Sequence, residues 1–481
     1  MIMLNHHTNK LLLFISAFLL VSCDKLLEIP EPKNSLTTEK VFNNETQAKG
    51  AMAGVLTQMI NSSAYGSFSA GLSSQLGRTS ADELDNVLNP GDNYYRNALT
   101  AQDGQSNGIW NSAYQTIYGA NGVIEGIAES KSPLLGEKLR KELTAEAKFI
   151  RAFCYFYLVN TYGDVPLVLT INLAKNTNIE RTPTTKVYEQ IVTDLKDAAN
   201  ILPADYASGN GERIRANKWA AKALLARVYL YTGNYGDAIL EATDVIGQTS
   251  LYQLELVDLN KVFLKNSSES IWQLQQNTQV DFSGNAVPEA IYLMPSPLHT
   301  GVSSDLSPNL LRAFDEGDLR KAAWIDSTDF VSGSNMVHAR FVYKYKTGLH
   351  NKVVNAEAPE YYMVLRLAEM YLVRGEARVL NGPISTGIED LNVLRRRAGV
   401  DPLPTSLGKE EALAAVAKER QAELFGEWAH RWFDLKRTGK AEAVLSAIPA
   451  KQPWRGNYQL LYPIPKEELE RNHFLKQNPN Y

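Results

Sequence analysis

The sequence predicts a mainly α-helical protein, a scaffold of tetratricopeptide-like helical pairs that carries a loop-rich face. Three stretches predict it. Residues 217–247, NKWAAKALLARVYLYTGNYGDAILEATDVIG, read as a helix, a Gly-Asn turn and a second helix. Ala220, Ala223 and Ala226 permit close packing, and Tyr229, Gly233, Tyr235 and Ala238 fall at the offsets of such a pair. Residues 143–169, LTAEAKFIRAFCYFYLVNTYGDVPLVL, leave little polar face and read as a buried helix. YYMVLRLAEMYLVRGEARVL (361–380) and EALAAVAKERQAELFGEWAHRWFDLKR (411–437) are further helices of the same grain, and several such pairs stack into an α-solenoid.

Taken in order, the chain begins with a short polar segment ending in Lys10, the apolar run LLLFISAFLL and then VSC. The run is too short to span a bilayer and has the proportions of a signal peptide. Leu20-Val21-Ser22-Cys23 resembles a lipoprotein processing site, so residues 1–22 are expected to be removed, Cys23 lipidated, and 23–40 left as a tether rich in Pro, Asn, Ser and Thr. The chain has two cysteines, so a lipidated Cys23 leaves Cys154 alone and the exported protein must be held by its core. Apolar residues make up 44% of the chain and charged residues 21%, ordinary values for a globular body. A net charge of −4, spread without blocks, argues against nucleic acid as a partner.

A helix follows up to Ile60, with Thr46 as expected cap and Ala48, Ala51, Met52, Val55 and Met59 near helical spacing. Residues 62–107 are rich in Ser, Gly, Asn, Asp and Tyr, too long for a plain connection, and read as functional surface. Helix returns with Ile109, Ala113, Ile117 and Ala120 on one face. The buried helix is expected to stop at Gly163 in a left-handed C-terminal position, before Pro166. Residues 251–356 form a loop-rich insert with strand-like pieces SIWQLQQ and ARFVYKYK between scaffold segments at about 41–250 and 357–440. A Pro- and Asn-rich segment, 451–481, closes what reads as one domain from 41 to 481.

Residues 422–439, AELFGEWAHRWFDLKRTG, pose the chemical question, because carboxylates beside a histidine serve acid/base chemistry, metals or mutual neutralisation. Glu419, Glu423 and Glu427 recur at helical spacing with Arg420, Arg431 and Arg437 in reach, which favours ion pairing in a partly buried helix. Glu427-x-x-His430 and Glu470-x-x-His473 match the spacing of di-metal bundles, but the second lies between Pro465 and Pro479, a poor bundle helix; no metal is expected. Gly104-Gln-Ser-Asn-Gly108 matches a nucleophile elbow without the strand that must precede it. Phosphate-binding glycine loops are absent, and Asp82, Glu83 and Asp85 lack the spacing of a calcium loop.

AEAKFIRAFCYFYLVNTYGDVPLV, YMVLRLAEMYLVRGEA, LNVLRRRAG, ERQAELFGEWAHRWFDLKRTG and YPIPKEELERNHFLKQNPNY, in that order, with GDLRKAAW between, resemble the SusD/RagB family over nearly the whole mature chain. The resemblance implies a surface-exposed outer-membrane lipoprotein of Bacteroidetes, held to the membrane by its lipid. It also implies no enzymatic activity, no cofactor, and a SusC-like TonB-dependent transporter as partner. The ligand would be an oligosaccharide, or an oligopeptide as in the RagB branch. The family motifs mark the scaffold, and the ligand regions they imply here are roughly 78–107 and 285–335. A surface glycan-active enzyme would need two carboxylates facing across a cleft, for which no partner to Asp82 or Asp85 is identifiable.

A sugar offers an apolar C–H face and a rim of hydroxyls, so a binder wants a flat aromatic with Asn, Asp or Arg at its edge. DELDNVLNPGDNYYRN supplies Asp82, Asp85, Asn86, Tyr94, Tyr95 and Arg96; the middle loops add Tyr292 and Trp324. For each aromatic the competing reading is packing into the base of its own loop.

Overall fold

The computed structural model describes residues 41–60, 67–295 and 301–481; the expected signal peptide, Cys23 and tether lie outside the described residues. The helices run α1 Glu45–Ile60, α2 Ser73–Ser80, α3 Gly104–Glu129, α4 Glu137–Tyr162, α5 Leu173–Asn176, α6 Thr184–Ile201, α7 Lys218–Tyr231 and α8 Tyr235–Ile246. They continue as α9 Pro288–Leu293, α10 Pro308–Leu311, α11 Leu319–Trp324, α12 Leu367–Asn381, α13 Ile384–Arg397, α14 Lys409–Leu424, α15 His430–Arg437, α16 Ala441–Leu445 and α17 Lys466–Arg471. Short strands are interspersed: β1 Leu84–Asn86, β2 Val165–Pro166, β3 Arg181–Thr182, β4 Ser270–Leu274, β5 Ser304–Leu306, β6 Ile325–Ser332, β7 Asn335–Val342 and β8 Tyr362–Arg366. They form antiparallel pairs β1–β5, β2–β3, β4–β8 and β6–β7. The mainly helical fold is as the sequence predicts.

Helices α3, α4, α6, α7, α8, α12 and α13 pack one against the next, the pattern of stacked helical pairs. α4 is the hub, with nearly every side chain from Phe149 to Tyr162 buried. Phe153 meets Trp272 of β4 and Trp428 edge-on, at ring separations of 5.3 and 5.4 Å. Gly163 ends the helix at φ 77°, and the Asn217 side chain caps α7 by accepting from the Ala220 N–H.

Three details differ from the sequence reading. α1 begins at Glu45, and Asn44 supplies the cap, its Oδ1 accepting from the Gln47 N–H at 3.0 Å; Thr46 lies inside the helix. Residues 411–437 are two helices, because the chain turns at Gly426, Trp428 and Ala429, all at positive φ. That turn carries the Trp428 indole onto the Tyr362 ring, stacked at 4.7 Å, where its Nε1 donates to the Met363 carbonyl. Much of 67–80 is interior, with Ser67, Ser69, Ser73, Ser74 and Ser80 buried. Small residues are used there for close approach: a Cβ on Gly77 would stand 2.2 Å from that of Ala429.

Candidate functional site

The carboxylates of 419–434 are taken up by the core. Glu423, fully buried, receives Arg366 at 2.6 Å, Arg397 at 2.5 Å and Arg320 at 3.0 Å. Glu427 receives Lys344 and Arg366, Glu419 receives Arg320 and Arg395, and Asp434 lies between Arg420 and Arg437. Burial alone would raise the Glu423 carboxyl, but its three guanidiniums outweigh that and hold it well below the usual range. Burial, reinforced by Arg227 and Arg420, keeps His430 neutral, well below its ordinary pKa. Bidentate Arg–carboxylate pairs suit this role because their geometry is fixed by the two planar groups.

A different place gathers polar side chains at the surface. β1 pairs with β5, setting Asn86 opposite Ser304, and Asp305 of β5 is held by the Arg340 guanidinium of β7 at 2.8 Å. Between this ribbon, α2 and α9 lies a cavity of about 220 Å3. Its walls include Gln75, Asn86, Asn89, Asp92, Tyr94, Gln105, Tyr292, Ser303 and Ser304. Amides and hydroxyls thus surround aromatic carbon, the mixture a sugar requires. Larger grooves of about 610 and 370 Å3 beside α1 are lined, among the described residues, by no aromatic side chain.

The sequence candidates separate into four groups. Asn86, Tyr94 and Tyr292 meet in the cavity wall, drawn from both expected ligand regions. Asp82, Asp85 and Tyr95 lie beneath it as supports: Asp82 is buried and gripped by Arg431 at 2.7 and 2.8 Å, and Tyr95 donates to Asp85 at 2.9 Å. Tyr94 and Tyr95 are 5% and 6% exposed, so neither offers the open stacking face that their polar flanks suggest. Tyr94 instead packs edge-on against Tyr462, and its hydroxyl accepts from the Ser106 N–H. Arg96 is exposed and does not line the cavity. Trp324 is 0% exposed: its Nε1 donates to the Leu259 carbonyl and its ring packs against Phe263, placing it in the core and not at a surface.

Sequence reasoning missed Gln75, Asn89, Asp92, Gln105, Ser303 and Ser304. Asn89 and Asp92 stand in the same NPGDN turn as the chosen residues, so composition held their signal; Ser303 reaches the site through strand pairing that no local pattern announces. Arg78 also lines the cavity, and the carboxyls of Glu83 and Glu289 act on its charge from within the core. Burial raises each of these carboxyls to about 7, but neither belongs to the cavity wall.

Comparison with known proteins gives the family. Residues 34–230 match a family described as starch-binding and associating with outer membrane, and residues 326–481 match the SusD family. The chain belongs to the SusD/RagB family. Among its relatives, SusD-like protein P25 of Formosa agariphila is 27% identical over 95% of both chains. The starch-binding protein SusD of Bacteroides thetaiotaomicron is 24% identical over 72% of this chain and 73% of its own. A laminarin-binding SusD-like protein of known structure superposes with a TM-score of 0.75 at 26% identity, covering 92% of this chain and all of the other. Members of the SusD family associate with the outer membrane; among the described residues of this SusD-family chain, no helix is long and apolar enough to cross a membrane.

Proposed function

We propose that this SusD-family protein is a cell-surface glycan-binding lipoprotein, anchored to the outer membrane through Cys23. It captures an oligosaccharide and delivers it to a SusC-like TonB-dependent transporter. The observation that carries the reading is the cavity at Asn86 and Tyr292, where amide and hydroxyl groups ring aromatic carbon. Relatives described as binding starch and laminarin support the ligand class. Binding without catalysis is supported by the fate of the carboxylates, since Glu423, Glu427 and Asp434 are spent on buried cations.

The test is calorimetric titration of the protein lacking residues 1–23 against laminarin, starch, other plant, microbial and host glycans, and mixed oligopeptides. Saturable binding of a glycan, weakened at least tenfold by Asn86→Ala or Tyr292→Ala with the unfolding midpoint unchanged, supports the site. Binding of oligopeptides alone moves the chain to the RagB type of function and ends the carbohydrate reading.

A further inference from the structure

Tyr292 of α9 lines two cavities. One is the cavity of about 220 Å3 described above; the other, of about 160 Å3, is walled by Gln276, Asn277, Phe282, Ser283, Ile291 and Tyr292. Small-ligand clefts usually run to about 300–1,000 Å3. Each cavity alone falls short of that range, and together they reach its lower end.

Phe282 is 60% exposed. A phenyl ring left in water forgoes the stabilisation of burying its apolar surface, so its position is not explained by the core. Asn277 and Ser283 flank the same cavity, again setting amide and hydroxyl groups beside an aromatic ring. Gln276 adds an independent observation. It is 4% exposed, and its Nε2 donates at 2.9 Å to the carbonyls of both Asn285 and Glu360, which fixes the orientation of the amide. Its Oε1 is therefore an acceptor, and among the described residues no donor meets it. A buried acceptor without a donor is destabilising. Gln276 belongs to the cavity wall, although this oxygen is itself sealed from the cavity.

We infer that the cleft between Phe282 and Tyr292 is a second sugar subsite, continuous with the first across Tyr292, so that the protein takes a glycan chain and not a single sugar. This rests on the glycan reading above. Phe282 supplies the stacking face, and Asn277 and Ser283 meet the hydroxyl rim.

The experiment is calorimetric titration with two oligosaccharide series of increasing length, one derived from laminarin and one from starch. Wild-type affinity is expected to rise at least tenfold with chain length in the series that binds. Phe282→Ala should remove that gain while leaving the shortest binding oligosaccharide unaffected, and Asn277→Ala should reduce it. Phe474→Ala, which removes an exposed ring of the C-terminal segment, should change neither. If Phe282→Ala leaves the length dependence intact, or weakens short and long chains alike, the second subsite is wrong while the glycan reading stands. If the wild type binds neither series, the glycan reading for these polymers falls, and the subsite with it.

Discussion

The ammonium of Lys451 donates to Asn97 Oδ1 at 2.7 Å and so ties the C-terminal segment to the loop that follows the candidate site. The same nitrogen lies within hydrogen-bond reach of the carbonyls of Tyr95, Thr79 and Ser80 at 2.5, 3.0 and 3.2 Å, four oxygens sharing three N–H groups, and Gln459 Nε2 donates to the Asn97 carbonyl. One buried lysine, its pKa lowered by burial to about 7, thus gathers the end of α2 and the Tyr95–Asn97 turn. Lys451→Met leaves these oxygens without their donor, at about 1–3 kcal/mol for each that cannot find another. The expected result is a loss of roughly 2–4 kcal/mol in urea unfolding together with weaker glycan binding, because Asn86 and Asp92 lose their footing. An unchanged urea midpoint would show that the clasp contributes nothing.

Glu289 makes stability depend on pH. Burial raises its carboxyl from the ordinary value to about 7, against the pull of Arg78. The folded chain then holds that proton more tightly than the unfolded chain. Its contribution is fully present below about 4.5 and is lost as pH rises through about 7. A shift of this size corresponds to about 3 kcal/mol. Glu289→Gln keeps a group that can accept from Ser74 Oγ and carries no charge at any pH. Relative to wild type, its unfolding free energy should improve between pH 5 and about pH 7 and level off above that. Parallel pH profiles for the two proteins would refute the assignment.

Trp324 and Tyr292 show how far the site could be read from the sequence. Both are aromatic residues within the middle region, and nothing local distinguishes them. Trp324 precedes Ile325, the first residue of β6, and its ring is drawn under the hairpin against Phe263; Tyr292 sits on a one-and-a-half-turn helix that holds it half-buried at the cavity. The helices were legible because alanine spacing and aromatic density report burial directly, as in α4 and α7. Residues 67–80 were misread as surface because small polar residues serve both exposed loops and crowded interiors. Trp324→Ala should cost about 3–5 kcal/mol in stability and leave the affinity of the remaining folded protein unchanged, whereas Tyr292→Ala should do the opposite. Equal effects on affinity would place Trp324 at the ligand after all.

Glu423 offers the strictest test of the reading of 422–439. Its carboxylate neutralises Arg320, Arg366 and Arg397, which come from α11, β8 and α13, so one side chain of α14 joins three other elements. Glu423→Gln preserves shape and removes the charge, leaving buried guanidiniums with Glu269, Glu419, Glu427 and Asp318 as their remaining counter-ions. Breaking a buried pair from one side costs about 3–5 kcal/mol, since the stranded charge cannot return to water. A catalytic carboxylate behaves in the reverse way, because its amide isostere relieves a strained site and spares the fold. The urea midpoint of Glu423→Gln should therefore fall sharply, while the folded fraction at low temperature retains wild-type glycan affinity. A variant as stable as wild type that had lost binding or an activity would return this stretch to the surface and to chemistry.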